Sequence, residues 1–239
     1  MADAPEPRIL PCGDAAVAVE FGDAIDPALN AHVLALDAVL AGRPWLVETV
    51  PTYRSLLVHY DPTAIGFAEL AEALVEASRT AGTAPASGAT WTIPVAYGGE
   101  HGIDLEATAA VHGITPDELV RRHSAPTYRV YMIGFLPGFA YLGGLDPTIA
   151  TPRRTTPRLR TPPGTISIGG VQALVASIEA PSGWHLLGRT PVRNFMPGRD
   201  PVFLLRPGDR VRFRRIDPET FSELDRAAAA GEIVAEPAT

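Results

Sequence analysis

Four segments of this chain use residues that are costly to keep unless they do chemistry or hold a tight turn. The first is Gly134-Phe135-Leu136-Pro137-Gly138-Phe139-Ala140-Tyr141-Leu142-Gly143-Gly144, three aromatic rings among four glycines and a proline. It reads either as a tight loop with its rings in the core, or as an aromatic-walled pocket around Phe135, Pro137, Gly138 and Phe139. In the second case the glycines let the backbone approach a ligand. The next segment, Pro152-Arg153-Arg154 with Pro157-Arg158-Leu159-Arg160, sets arginines on a proline-stiffened chain. Arg153 and Arg154 are either solvated surface or a preorganised clamp for carboxylate or phosphate. A third stretch runs from Pro163-Gly164 to Gln172 and has the form strand, glycine turn, strand. Gln172 opens an otherwise apolar strand, so it points to water or offers hydrogen bonds in a barrel mouth. The last runs from Ser182 to Pro191; on a strand its Trp184 and His185 face opposite ways. A lone histidine such as His185 has a structural or exposed reading beside the functional one.

Much chemistry is excluded. All 20 basic residues are arginine, so a Walker A loop, a Schiff-base lysine and a lysine general base are absent. The single cysteine, Cys12, rules out an intrachain disulfide and multi-cysteine metal sites. There is no Gly-x-Ser-x-Gly elbow, no His-Glu-x-x-His and no histidine cluster, so no metal site is expected. Asp146 is the nearest carboxylate to the aromatic loop, and no hydrolase triad assembles from spacing. The chain therefore looks like a binding module or one part of an enzyme.

Charge is uneven. The net charge is −7, yet residues 1–90 hold 12 acids against 4 arginines, and residues 151–215 hold 12 arginines against 3 acids. Those arginines alternate with prolines and apolar residues rather than exposed aromatics, which favours an anionic small ligand or an acidic partner over nucleic acid. No apolar run is long enough for a membrane span, and the acidic start MADAPEPRIL is no signal peptide, so a cytoplasmic protein is expected.

The elements that must position these residues fall into two groups, predicted as domains 1–90 and 91–239. The first reads β-α-β-β-α-β: strands at 15–21, 45–50 and 55–60, and two helices. Asp26 caps the first helix, with Pro27 at its first position and Leu29, Val33, Leu36 and Leu40 on one face. The second begins near Gly66 and buries Phe67, Leu70 and Leu74. The segment 82–90 is the expected linker, and 92–97 is either the last strand of this unit or the first of the next. This order is that of a ferredoxin-like split β-α-β domain, giving an α+β chain. Short helices follow at 104–123, where Thr115 to Glu118 form a capping-box signature, and another is expected at 218–230. Strands are expected at 128–134, 165–168, 171–178, 184–187, 201–205 and 210–216, a spacing that suggests a barrel over 127–216.

The four segments together resemble the allophanate hydrolase subunit 1 family, which includes the B-type chain of prokaryotic 5-oxoprolinase and an inhibitor of a sporulation histidine kinase. The pieces carrying the resemblance are GFLPGFAYLGGLDP (134–147), PRRTTPR (152–158), PPGTISIGGVQ (162–172) and SGWHLLGRTPV (182–192). CGDAAVAVEFG (12–22), VPTYRSLLVHYD (50–61) and TIPVAYGGEHGIDL (92–105) extend it over almost the whole chain. One departure is Ser182, where the family commonly has a glycine before Gly-Trp.

The resemblance implies a cyclophilin-like β-barrel after the α+β domain. It also implies one component of an ATP-dependent 5-oxoprolinase, working with a homologous C-type subunit (allophanate hydrolase subunit 2-like) and an A-type subunit. On that reading ATP is used by the complex, and no cofactor is bound by this chain alone. Arg153 or Arg154 would pair the substrate carboxylate, Gln172 the ring amide, and Phe135, Phe139 and Trp184 would exclude water. Two other roles follow from the same resemblance: a histidine-kinase inhibitor, or a carboxyltransferase component of a urea-processing system.

Overall fold

The computed structural model describes residues 6–82 and 88–238. The chain divides into two compact units, the first ending at Ser87 and the second starting at Gly88. The predicted linker lies partly at 83–87, outside the described residues.

The first unit is a four-stranded antiparallel sheet with two helices. Its strands are β1 (Arg8–Pro11), β2 (Ala16–Glu20), β3 (Leu46–Pro51) and β4 (Ser55–Tyr60), in the order β1-β2-β4-β3. Helix α1 (Pro27–Leu40) starts as predicted: the Asp26 carboxylate accepts from Ala28 N and Leu29 N at 2.7 and 3.1 Å. It packs Val33, Leu36 and Leu40 against Val17, Val19, Leu56 and Val58 of the sheet. Helix α2 (Phe67–Ala81) buries Leu70 and Leu74, but Phe67, at its first position, is exposed rather than buried. The fourth strand of this ferredoxin-like sheet comes from the N-terminal side. β1 turns through Gly13, in the left-handed region at φ +74°, and pairs with β2.

The second unit is a closed seven-stranded barrel. Its strands are β5 (Thr90–Tyr97), β6 (Tyr128–Ile133), β7 (Ala140–Gly143), β9 (Thr165–Gly169), β10 (Gln172–Val175), β12 (His185–Arg189) and β13 (Arg210–Ile216). They run in the order β12-β9-β10-β7-β6-β13-β5, and β12 pairs with β5 to close the ring. The strand at 92–97 thus belongs to the barrel, which begins earlier than position 127. Two short strands, β8 (Arg158–Thr161) and β11 (Ala180–Ser182), form a separate ribbon, and β14 (Glu236–Pro237) pairs with β5. The apolar run at 201–205 is not a strand. Asn194 takes its hydrogen bonds instead: Leu204 N donates to Asn194 O and Leu205 N to Asn194 Oδ1. The helices are α3 (Leu105–Val111), α4 (Pro116–Ser124) and α5 (Pro218–Ala229). None of the described helices is long and apolar enough to cross a membrane.

Alternation along the barrel strands decides what faces where. Ala140 and Leu142, Ile166 and Ile168, Ala173 and Val175 point inward with Ile93, Val95, Val211 and Phe213, and fill the barrel. The helix α4 adds His123, wholly buried, its ring stacked on Phe213 at 4.9 Å and its Nδ1 sharing a 2.8 Å hydrogen bond with the Tyr97 hydroxyl. Burial pushes the His123 imidazole down to about 3 and the Tyr97 phenol well up. The residues between the inward ones point outward: Tyr141 on β7, Leu174 on β10, Ser167 on β9 and Leu186 on β12 are neighbours in one row across the strands. Leu174 packs there with Phe139, Ala176, Ala180 and Trp184 in a second, smaller cluster, partly covered by the β8–β11 ribbon.

Candidate functional site

Two residues of the outward row, Tyr141 and Leu174, line a pocket of about 300 Å³, within the range of small-molecule sites. It is lined by Phe135, Phe139, Tyr141, Leu174 and Trp184, by Arg153, Arg154 and Pro157, and by Pro181, Ser182 and Gly183 of the ribbon side. The pocket lies on the outer wall of the barrel under the ribbon, not in the barrel mouth.

One wall is the loop before β7. Phe135 stands at φ +69°, a left-handed conformation that a bulky side chain avoids, and its ring is 69% exposed. Such strain, on the order of 1–2 kcal/mol, persists only where the surroundings enforce it. Here they do. Phe139 N donates to Leu136 O, the Ser177 hydroxyl to Pro137 O, and the buried Asn194 amide to Gly138 O. Gly138 itself is at φ +76°, and a Cβ there would meet Phe195 Cβ at 2.5 Å. The loop therefore presents Phe135 in edge contact with Phe139, ring centroids 6.0 Å apart.

The opposite wall is Trp184, edge-on to Tyr141 at 5.9 Å, with the Arg153 guanidinium 5.4 Å above its ring. The ring lies flat against Gly169, whose added Cβ would come within 2.7–2.9 Å of it. Gly169 leaves that space, and Gly170, at φ +61°, makes the two-residue hairpin turn between β9 and β10. The segment carrying Arg153 is pinned on both sides. His185 Nε2 donates to Pro152 O at 2.9 Å, which places the proton on that nitrogen, and Arg154 N donates to Gly183 O at 2.7 Å.

The two adjacent arginines have different duties. Arg154 and Arg158 both reach the Asp104 carboxylate: Arg158 with two bonds at 2.6 and 2.8 Å, Arg154 with one at 3.3 Å. Arg153 has no carboxylate partner among the described residues. It is the cation that the pocket holds in reserve. The Arg154 Nε–H is buried and has no hydrogen-bond partner among the described residues. The Tyr141 phenol is pushed up by burial and partly held back by Arg153.

Of the ten residues singled out from the sequence, Phe135, Phe139, Arg153, Arg154 and Trp184 meet in this pocket. Pro137 and Gly138 shape its loop. Gly164 sits in a turn against Thr190 O, where a Cβ would come within 2.2 Å. Gln172 is half-buried at the start of β10, beside the turn and away from the lining, and His185 acts on Pro152 rather than in the pocket. Beyond those ten, Tyr141, Pro157, Leu174, Pro181, Ser182 and Gly183 also line the pocket; Ser182 is the departure from the family's glycine, and its hydroxyl accepts from Trp184 N at 3.1 Å. Among the described residues no three His, Cys, Asp or Glu side chains are placed to hold a metal ion.

A family profile described as carboxyltransferase domain, subdomain C and D, matches residues 7–205. The chain belongs to this carboxyltransferase-domain family. It is 37% identical over 90% of its length to a Bacillus subtilis protein named as the B subunit of 5-oxoprolinase, covering 95% of that protein. The Escherichia coli protein of the same name is 37% identical over 84% of this chain and 92% of its own. Among solved structures, the family fold recurs in TTHA0988, with a TM-score of 0.76, 35% identity and 84% of this chain covered; the match spans 40% of that longer chain. The Pyrococcus horikoshii protein PH0987 is 45% identical over 90% of this chain and all of its own, with a TM-score of 0.55. The Kluyveromyces lactis urea amidolyase shares the fold across the whole chain, with a TM-score of 0.84 at 19% identity and 16% of its own length.

Proposed function

We propose that this chain is the B-type component of an ATP-dependent 5-oxoprolinase, which opens 5-oxo-L-proline to L-glutamate, and that its outer-wall pocket holds the lactam. The observation that carries the reading is the uncommitted Arg153 cation over Trp184 in an aromatic pocket, within a chain similar over nearly its whole length to proteins named as the B subunit of 5-oxoprolinase. The substrate pairs a compact ring with one carboxylate. Arg153 takes the carboxylate, and Trp184, Phe139 and Phe135 enclose the ring.

A lactam resists hydrolysis because opening it breaks amide resonance, so its carbonyl must be activated. ATP supplies that activation within the complex. This chain contributes binding and exclusion of water, which protects an activated acyl group from premature hydrolysis. It has no lysine and no phosphate loop, so the nucleotide belongs on the companion subunits. A homologous C-type subunit completes the site, together with an A-type subunit, in a cytoplasmic complex. Phe135, which lines the pocket, is 69% exposed, which gives such a partner apolar surface at the site, and Leu159 on the ribbon is exposed as well. A permanent interface there would bury more than ~1,200 Å².

The test is co-expression with A- and C-type subunits, size exclusion, and ATP-dependent glutamate release from 5-oxo-L-proline. Co-elution, activity only in the assembled complex, and a marked loss with Arg153→Ala are expected. Turnover by the chain alone, failure to co-elute, or full activity with Arg153→Ala would overturn the reading. The carboxyltransferase description of the family favours a second reading, in which the pocket accepts a carboxyl group in transfer. Bicarbonate-dependent rather than lactam-dependent ATP turnover would select it.

A further inference from the structure

Asp104 stands where a helix cap should be but does not cap. It occupies the N-cap position of α3, a place where aspartate normally accepts from the first free backbone N–H groups, yet its side chain makes no such bond. It is 5% exposed. Its two oxygens accept four hydrogen bonds instead: two from Arg158, one from Arg154, and one from Leu186 N at 2.8 Å. A buried carboxylate diverted from its helix to two arginines and a barrel strand joins parts far apart in sequence. These are the 152–158 segment, the ribbon strand β8 and the barrel strand β12.

That junction lies directly behind the pocket. Arg153 sits between Arg154, which Asp104 holds by its side chain, and Pro152, which His185 holds by its carbonyl. Arg158 begins the ribbon strand whose partner β11 leads through Ser182 into Trp184. Both members of the Arg153–Trp184 pair are therefore set from the same carboxylate. Salt bridging also gives Arg154 a fixed direction, so its guanidinium is not available to compete with Arg153 for an anion.

We propose that Asp104 is a positioning residue for the pocket. It locks the 152–158 segment so that Arg153 is delivered over Trp184 in a binding-ready geometry. The role assigned to Arg153 rests on the functional reading above; the locking of the segment does not. Asp104 touches no ligand and is not a catalytic residue. Loss of its charge should loosen the segment, raise KM and spare the later steps.

The experiment uses the full chain assembled with its companion subunits and 5-oxo-L-proline as probe. The variants are Asp104→Asn, Arg153→Ala, their combination, and Arg158→Gln, which opens the same network from its other end. Hydrogen exchange over 152–160 should quicken ~10-fold in Asp104→Asn while 128–143 exchanges as in the wild type. KM should rise ~10-fold with kcat within ~3-fold, and the double variant should be no worse than Arg153→Ala. If Asp104→Asn does not fold, Arg158→Gln must give the same pattern. Wild-type exchange over 152–160, or effects of Asp104→Asn and Arg153→Ala that multiply, would overturn the proposal. If Arg153→Ala alone leaves KM unchanged, the substrate reading of the pocket fails, and the exchange result alone decides whether Asp104 locks the segment.

Discussion

Replacing Gly169 by alanine adds one methyl group behind the pocket wall, and its consequence can be worked from the contacts. The new Cβ would lie 2.7, 2.8 and 2.9 Å from three atoms of the Trp184 ring. Carbon atoms pack at about 3.5–4.0 Å, so one partner must move by about 1 Å. Gly169 is paired with Gln172 of β10 at the end of the hairpin, which limits its retreat. The ring can move, because its far side faces the pocket and Arg153. Overpacking of this kind costs about 1–3 kcal/mol, or about 4–8 °C in melting temperature for a 2 kcal/mol loss in a unit of this size. Backbone strain plays no part, since Gly169 is not among the positive-φ residues. The assay is denaturant unfolding with tryptophan emission, run beside Trp184→Ala and the double variant. Gly169→Ala should destabilise and shift the Trp184 emission to the red. In the Trp184→Ala background the same methyl group should cost little, a coupling of at least ~1 kcal/mol. Equal costs in both backgrounds would refute the argument, as would a Gly169→Ala protein with wild-type stability and emission.

Acid should weaken the barrel through His123. Its folded value is depressed to about 3 from 6.5, so the buried neutral ring contributes stability that is complete above pH 6.5 and is lost as pH falls toward 3. Compared with His123→Gln, the wild type should lose roughly 1.5 kcal/mol more between pH 6.5 and 5, and parallel urea-midpoint curves would contradict this. Phe135→Gly should leave stability unchanged or raise it by up to ~1 kcal/mol, because glycine accepts the left-handed backbone, while raising KM in the assembled enzyme. A clear loss of stability would mean that the ring serves the fold instead. Cys12 is exposed and its thiol donates to Leu10 O in the same strand region, so Cys12→Ser should change neither turnover nor stability beyond ~0.5 kcal/mol.

The architecture was readable where local chemistry and periodicity agree, as in α1 with Asp26, Pro27 and its leucine face, or the alternating strands around 165–175. It was unreadable where an element exists only through its partner. β1 is four residues ending in proline, and β8 reads Arg-Leu-Arg-Thr with no apolar alternation; pairing makes them strands, not pattern. The reverse holds at 201–205, an apolar run whose backbone is claimed by Asn194. In the site, aromatics crowded among glycines pointed to Phe135, Phe139 and Trp184. Nothing local distinguishes Arg153 from Arg154. The difference is made by Asp104, 50 residues earlier, and only folding brings that carboxylate to one arginine and not the other. Gln172, polar at the start of an apolar strand, reads from sequence either as a mouth residue or as one facing water; it sits at the hairpin end beside Gly169, away from the pocket.

Placing the pocket on the outside of the barrel separates two kinds of heredity within single strands. On β10, Ala173 and Val175 answer to the interior, whereas Leu174, between them, answers to the pocket. On β7 the same division falls between Leu142 and Tyr141. What fills the barrel and what lines the pocket are thus carried by different side chains of the same strands, and the ribbon, tied to the barrel through Asp104, closes over the second set. A scaffold so divided can alter its pocket without touching the side chains inside its barrel, at a cost confined to the smaller outer cluster.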